Sequence, residues 1–294
     1  MSFKQGKILA LSGIDYSGKS PEQVQNLFRQ TLEGGMHGLC YSAYEEGQEP
    51  GDVLTIEQIR RRMAVIAPYT KWIRSFSCIE GNELVPKVAR EFGIKTLVGA
   101  WLGKDKDLNE QEINGLIQLA QEGYVDIAAV GNEVLYRKDL SEDELLNYIH
   151  RVKKAIPEVQ VGYVDAYYEF TDCPRITEAC DVILSNCYPF WEGCQIDYSL
   201  VYMKQMYQQA VQAAKGKKVI ITETGWPSQG KSLEGAEPSA ENAMKYFINA
   251  QQWAREENIE IFYFSSFDES WKVGAEGDVG AYWGLWDMHQ QLKF

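Results

Sequence analysis

Eight short, apolar, β-rich runs recur along the chain, near residues 38–44, 71–76, 94–101, 125–131, 159–165, 181–187, 218–223 and 259–267. Segments of helical periodicity separate most of them. Strand and helix alternating at this spacing call for a parallel sheet with helices outside it. Eight such units closing on themselves give an α/β fold of the (β/α)8 TIM barrel type. An open doubly wound sheet is the alternative, but no Gly-rich phosphate loop follows a first strand.

The helices announce themselves by their caps. Thr55-x-x-Gln58, Asn109-x-x-Glu112 and Ser141-x-x-Glu144 each precede an apolar stripe, and each reads as a capping box. Ser20-Pro21-Glu22-Gln23 opens an N-terminal helix carrying Val24, Leu27, Phe28 and Leu32. Asn82, Ser199 and Ser239 are further helix starts. Between Cys173 and Ala179 there is room only for a short helix. Little helical sequence follows the eighth strand; residues 268–294 are rich in Gly and Trp and read as loop with a hairpin near 286–290. The N-terminal helix is therefore expected to fill the place beside strand eight, with residues 7–14 as an extra strand near the barrel bottom. No Pro- or Ser-rich linker divides the chain. A single catalytic domain over 1–294 is expected, with 1–34 as an N-terminal extension packing on the barrel.

Charge narrows the partners. The 294 residues carry a net charge of −13, which repels phosphate backbones and anionic lipid surfaces, so neither nucleic acid nor membrane is expected as a partner. No apolar run approaches the length of a membrane span. Residues 1–6 are not followed by a secretory apolar region and cleavage site; the expected location is cytoplasmic, or secreted or cell-wall if a leader was removed. The six cysteines form no C-x-x-C pair and the three histidines lie far apart, so no metal or other cofactor is expected. Buried free thiols are the default in a chain of this size, with disulfides open to a secreted protein. A monomer is expected.

Chemistry enters at two strand ends. Val219-Ile220-Ile221-Thr222 runs into Glu223-Thr224-Gly225-Trp226-Pro227-Ser228, so a carboxylate stands where a buried strand stops at a turn. Ile127-Ala128-Ala129-Val130-Gly131-Asn132-Glu133 repeats the arrangement. These are strands four and seven, three units apart, on opposite sides of the barrel mouth. All strands of such a barrel point the same way, so both acids emerge at the C-terminal face where such enzymes keep their active sites. Two carboxylates flanking one substrate are what glycosidic bond cleavage requires. The plainer reading, in which each Glu caps a loop or pairs with Lys or Arg, does not account for both acids sharing that face.

Five motifs in order carry a resemblance: Val130-Gly131-Asn132-Glu133-Val134, Tyr188-Pro189, Thr222–Ser228, Phe267-Asp268-Glu269-Ser270-Trp271-Lys272 and Gly280-Ala281-Tyr282-Trp283-Gly284. From about residue 38 onward the chain resembles glycoside hydrolase family 17, the β-1,3-glucanase and β-1,3-glucanosyltransferase family, in its fungal and bacterial branch. That resemblance implies a retaining enzyme acting on β-1,3-glucan, with Glu133 as acid/base and Glu223 as nucleophile. It gives substrate-binding roles to Asn132, toward a sugar 2-hydroxyl, and to Tyr188, as a donor to Glu223. Arg74, at the end of strand two, would sit among the acids. Glu269 and Lys272 match a charged cluster of the family. Tyr41, Tyr136, Trp226 and Trp271, at strand ends or in the loops that follow, would cover the apolar faces of sugar rings. Hydrolysis is the leading expectation. Transglycosylation through the same two glutamates is the alternative, and a non-catalytic glucan-binding barrel, which would need neither acid, is the third.

Overall fold

A computed structural model describes residues 13–294, apart from the side chain of Ala275. The runs of the sequence become strands β1 (Met36–Cys40), β2 (Thr70–Ser75), β3 (Lys95–Ala100), β4 (Ile127–Asn132), β5 (Gln160–Ala166), β6 (Val182–Asn186), β7 (Val219–Thr224) and β8 (Ile261–Tyr263). They pair in parallel in sequence order, and β8 closes on β1, so the expected (β/α)8 barrel is the observed one. Outside it run α1 (Pro21–Glu33), α2 (Ile56–Ile66), α3 (Val85–Glu91), α4 (Lys106–Gln121), α5 (Glu142–Ala155), α6 (Glu169–Asp172), α7 (Pro174–Ala179), α8 (Ser199–Ala213), α9 (Ala240–Glu257) and α10 (Val273–Glu276).

Two-residue alternation along the strands sorts side chains between two cores. Leu97, Ile127, Ala129, Val164 and Leu184 join one cluster. Their neighbours Val98, Ala128, Val130, Tyr163 and Ile183 join a second, shared with α4, α5, α6 and α7. Burial on both faces, complete in β4, β6, β7 and β8, explains why most of the strands read as nearly continuous apolar runs.

The expected capping box at Ser141/Glu144 is complete, and Ser20 and Gln23 form another at the start of α1. Thr55 caps α2, but the Gln58 side chain turns away to donate to Ala43 O at 2.7 Å. The third box is corrected. Asp105 caps α4, which starts four residues before the expected first turn, and Asn109 and Glu112 lie inside the helix. Both are buried there as loop anchors. Asn109 exchanges two hydrogen bonds with the Gly103 backbone, and Glu112 accepts from Cys78 N at 2.8 Å and from Ser77 Oγ.

β8 is also shorter than the sequence suggests. After Tyr263 the regular ladder ends: Ser265 N donates to Trp283 O in the C-terminal segment, and Ser266 N donates to Cys40 O at the end of the neighbouring β1. Only the four-residue α10 and short 3-10 turns follow. The last residues form the expected hairpin, with Trp286 bridged to Leu292. The extra strand expected over 7–14 lies almost wholly outside the described residues. Ile14 N, which is described, donates to Asn249 Oδ1 in α9 at 3.1 Å.

α1 packs against α9. Phe28, fully buried, meets Phe247 at 5.0 Å and Phe294 at 5.1 Å between ring centroids. Arg255 of α9 donates to Thr31 O and Gly35 O at 2.6 and 2.8 Å, tying the end of α1 to the start of β1. Phe28→Ala should lose about 3–5 kcal/mol of stability from the deleted ring and the cavity it leaves. Urea unfolding measures this, and the folded variant should keep its activity because Phe28 is remote from the barrel mouth.

Candidate active site

Local irregularities aim the two strand-end glutamates. Between β4 and β5 the register slips, with one extra β4 residue between Ala129 and Asn132. Gly131 sits there at φ +85°, a conformation that favours glycine. Glu133, the next residue but one, adopts φ +50°. β7 slips against both neighbours, at Ile221/Glu223 toward β6 and at Ile221/Thr224 toward β8. Bulges of this kind re-aim side chains at barrel rims. Just beyond, a Cβ on Gly225 would stand 2.1 Å from Phe264 O, so the turn after Glu223-Thr224 admits only glycine.

Glu223 is buried, and each of its carboxylate oxygens is engaged. Oε1 accepts from Arg74 Nη1, and Oε2 accepts from the Tyr188 hydroxyl at 2.7 Å. Burial and the Glu223 charge hold the Tyr188 phenol far above its ordinary pKa, so it stays a donor. Burial would weaken the Arg74 charge, but the Glu223 carboxylate and Cys40 outweigh it and the net shift is upward. Arg74 also donates to Asn132 Oδ1 and stacks 4.2 Å from the Phe76 ring centre.

Glu133 has a different environment. It is only partly covered, and Asn186 Nδ2 donates to its Oε1 at 2.9 Å; Asn186 Oδ1 in turn accepts from Thr222 Oγ1 at 3.0 Å. Burial first, and the Glu223 charge second, raise the Glu133 pKa. Glu223 is thus held by a guanidinium and a phenol, while Glu133 is biased toward keeping a proton.

Both line one cleft of about 500 Å³, together with Tyr136, Tyr167, Tyr168, Tyr188, Trp191 and Trp283. Tyr136 and Trp191 present rings that are 57% and 40% exposed, open to a ligand. Glu276 of α10 enters the same cleft, its pKa pushed up to about 7, chiefly by burial. Glu269 and Lys272 form a buried ion pair of 2.8 Å on the loop leading to α10. Trp271 is half-buried, edge-on to Tyr44 at 6.2 Å.

Two expected sugar platforms are corrected. Tyr41 is buried, because β1 ends at Cys40 and the ring turns inward to donate to Ile59 O at 2.9 Å. Trp226 is buried between Phe190 and Tyr246 and donates to Glu237 O at 2.9 Å. The structure brings Glu133, Glu223, Asn132, Arg74 and Tyr188 into one connected set and places Tyr136 on the cleft wall. It adds Asn186, Glu276, Tyr167 and Tyr168, which the motifs do not single out. Asn186 was findable as a polar residue at the C-terminal end of β6, the face that carries barrel active sites. All six cysteines are free thiols. Among the described residues no helix is long and apolar enough to cross a membrane.

An eight-stranded parallel barrel with two buried-side acids at the C-terminal strand ends is the architecture of a glycosidase. Residues 38–284 match the family described as the BtgE/BtgC glycoside hydrolase domain, and the chain belongs to that family, within glycoside hydrolase family 17. It is 30% identical over 249 residues to a glucan 1,3-beta-glucosidase of Schizosaccharomyces pombe, covering 78% of this chain and 77% of that one. The crystal structure of a family 17 beta-1,3-glucanosyltransferase from Rhizomucor miehei superposes with a TM-score of 0.79 at 30% identity, over 89% of this chain and 96% of that one. An endo-laminarinase from Formosa shares the fold, with a TM-score of 0.74 at 19% identity over 88% and 85% of the two chains.

The Glu133 environment gives a titration prediction. Glu223→Gln removes the negative charge that is the second cause of the Glu133 shift, so the Glu133 carboxyl should titrate lower than in the wild type while burial keeps it above an ordinary glutamate. Carbon-detected NMR titration of the glutamate carboxyls reads both values. An unmoved Glu133 would show that the two charges do not sense each other.

Burial raises Glu112, Asp165 and Glu276 each to about 7. Unfolded, these groups would ionise near pH 4. The folded state therefore holds protons that the unfolded state has lost, and their stabilisation is full below about pH 4 and gone above about pH 7. Denaturant midpoints should fall across that window.

Proposed function

We propose that this enzyme cleaves β-1,3-glucan by double displacement, with Glu223 as nucleophile and Glu133 as acid/base. The observation that carries this reading is the contrast between the two acids of one cleft: Glu223 bound by Arg74 and Tyr188, Glu133 biased toward its protonated form by burial and by Glu223.

In the first step Glu133 gives its proton to the glycosidic oxygen while a Glu223 oxygen attacks the anomeric carbon. The glycosidic C–O bond breaks, leaving a glucosyl ester on Glu223 and an ionised Glu133. Esterification removes the Glu223 charge, which lowers the Glu133 pKa and suits it to act as base. In the second step Glu133 takes a proton from the incoming hydroxyl, that oxygen bonds to the anomeric carbon, and Glu223 departs as carboxylate. Asn132 Oδ1 is committed to Arg74, so contact with a sugar hydroxyl falls to its Nδ2. Aromatic faces on the wall around Glu133 would cover the apolar faces of the sugars.

Water as the incoming group gives hydrolysis; a sugar hydroxyl gives transfer. Tyr136, Tyr167, Tyr168 and Trp191 line the cleft with Glu133 and favour a second sugar there, which keeps transfer as a second reading. Incubation with laminari-oligosaccharides separates the two, since products longer than the substrate require transfer and hydrolysis yields only shorter ones.

Glu133→Gln tests the acid/base role. A glucan leaving group is a poor alkoxide and needs protonation, whereas fluoride or a dinitrophenolate needs little. The variant should lose about 10²- to 10⁴-fold in kcat/KM on glucan and much less on an activated donor. Equal losses on both would remove Glu133 from the role. Glu223→Ala should abolish turnover, and azide filling the vacated space should convert an activated β-donor into an α-glycosyl azide. Full activity in Glu223→Ala would refute the nucleophile.

A further inference from the structure

Glu133 is held in a backbone conformation that a glutamate does not adopt readily, at φ +50°. Something outside the residue must fix it. On one side its own N–H donates to Val164 O of β5 at 2.8 Å. On the other side it opens a helix-like turn, in which Arg137 N bonds to Glu133 O at 2.9 Å and Asp139 N bonds to Val134 O at 3.0 Å. The first amides of such a turn have no carbonyl partner within it and need acceptors from elsewhere.

Those acceptors come from β5. Tyr163 and Asp165, two residues apart, share one face of the strand, on the helix side of the barrel and outside the cleft. The Tyr163 oxygen accepts from Leu135 N at 2.9 Å, and its hydroxyl donates to Asp165 Oδ2. The same Oδ2 lies 3.5 Å from Tyr136 N, and Asp165 Oδ1 accepts from Ala166 N at 2.7 Å. Asp165 is completely buried and forms no ion pair among the described residues. Its position resembles that of an N-cap carboxylate, but it comes from the neighbouring strand. A buried, unpaired acid is costly, and burial raises its pKa to about 7. Barrel packing at this spot would be met by an apolar residue, as at Val161 and Ile183 on the same layer.

We propose that the Tyr163–Asp165 pair is a positioning device for Glu133, capping the free amides of the turn that follows it and thereby aiming its carboxyl at the scissile oxygen. Neither residue touches the substrate. Because Asp165 also grips Ala166 N, the pair couples the Glu133 turn to the β5 exit that carries Tyr167 and Tyr168 on the cleft wall. The inference rests on Glu133 being the acid/base.

Tyr163→Phe tests it with the loss of one oxygen. Leu135 N and Asp165 Oδ2 each lose a partner, and the ring still packs on Phe170, with centroids at 6.4 Å in the wild type. The purified enzyme is assayed on laminari-oligosaccharide and on a β-laminaribiosyl fluoride, beside Glu133→Gln on the same two donors. The expected result for Tyr163→Phe is a loss of about tenfold or more in kcat/KM on the oligosaccharide, mainly through kcat, with the fluoride little affected. Asp165→Asn should give the same split and replaces Tyr163→Phe if that variant does not fold. If Glu133→Gln shows the split and the positioning variants lose equally on both donors, or lose nothing, the pair is structural only and the proposal fails. Unfolding of both β5 variants would also reduce the pair to a structural brace and overturn it. If Glu133→Gln itself shows no split, the acid/base reading fails first and takes the proposal with it.

Discussion

A carboxylate buried at the end of β7 needs positive charge and donors close at hand, and the barrel mouth is organised around that need. Leaving Glu223 without its partner would cost on the order of 3–5 kcal/mol, the usual penalty for a buried charge left alone. Arg74, buried at the end of β2 on the other side of the mouth, supplies the charge, and Tyr188 supplies the second donor. Arg74 also binds Asn132, so β2, β4 and β7 are linked through one guanidinium. The same negative charge is a cause of the raised Glu133 pKa. Neutralising one acid chemically therefore changes the other, and the two steps of a double displacement need that exchange.

Aim comes from breaks in regularity. In an unbroken strand, alternate residues face the cores, and Glu223 would have to share the register of its neighbours. The slips on both sides of β7, and the one between β4 and β5, free the strand ends from strict alternation. Gly131 and Gly225 mark these places in the sequence, one by its positive φ and one by its contact with Phe264 O. The left-handed Glu133 is then stabilised by hydrogen bonds from two sides of its turn.

The barrel was legible because its signals are local. Apolar runs alternate with capped helices, and Ser20, Ser141 and Ser239 act as caps where the pattern places them. Glu133, Glu223, Arg74 and Tyr188 were legible because strand ends of a parallel barrel share one face. The failures are non-local. Asn109 and Glu112 look like a capping box, yet a better cap, Asp105, lies four residues earlier and frees them to anchor loops from β2 and β3. Tyr41 and Trp226 sit at strand ends where a sugar platform is expected, but the contacts that bury them come from Ile59, Phe190 and Tyr246, far along the chain. Glu276 enters the cleft from a short helix in a stretch that reads as loop, and no periodic pattern points to it.

In the proposed double displacement Glu223 becomes covalently glucosylated. A 2-deoxy-2-fluoro-β-laminaribiosyl fluoride slows both steps through its 2-fluorine, but its good leaving group keeps the first step fast enough for the ester to accumulate. Peptic digestion and mass spectrometry then locate the added sugar. A single label is expected on the peptide containing Thr222-Glu223-Thr224, with fragmentation assigning it to Glu223. A label on Glu133, on Glu276 or on no residue, with turnover intact on glucan, would contradict it.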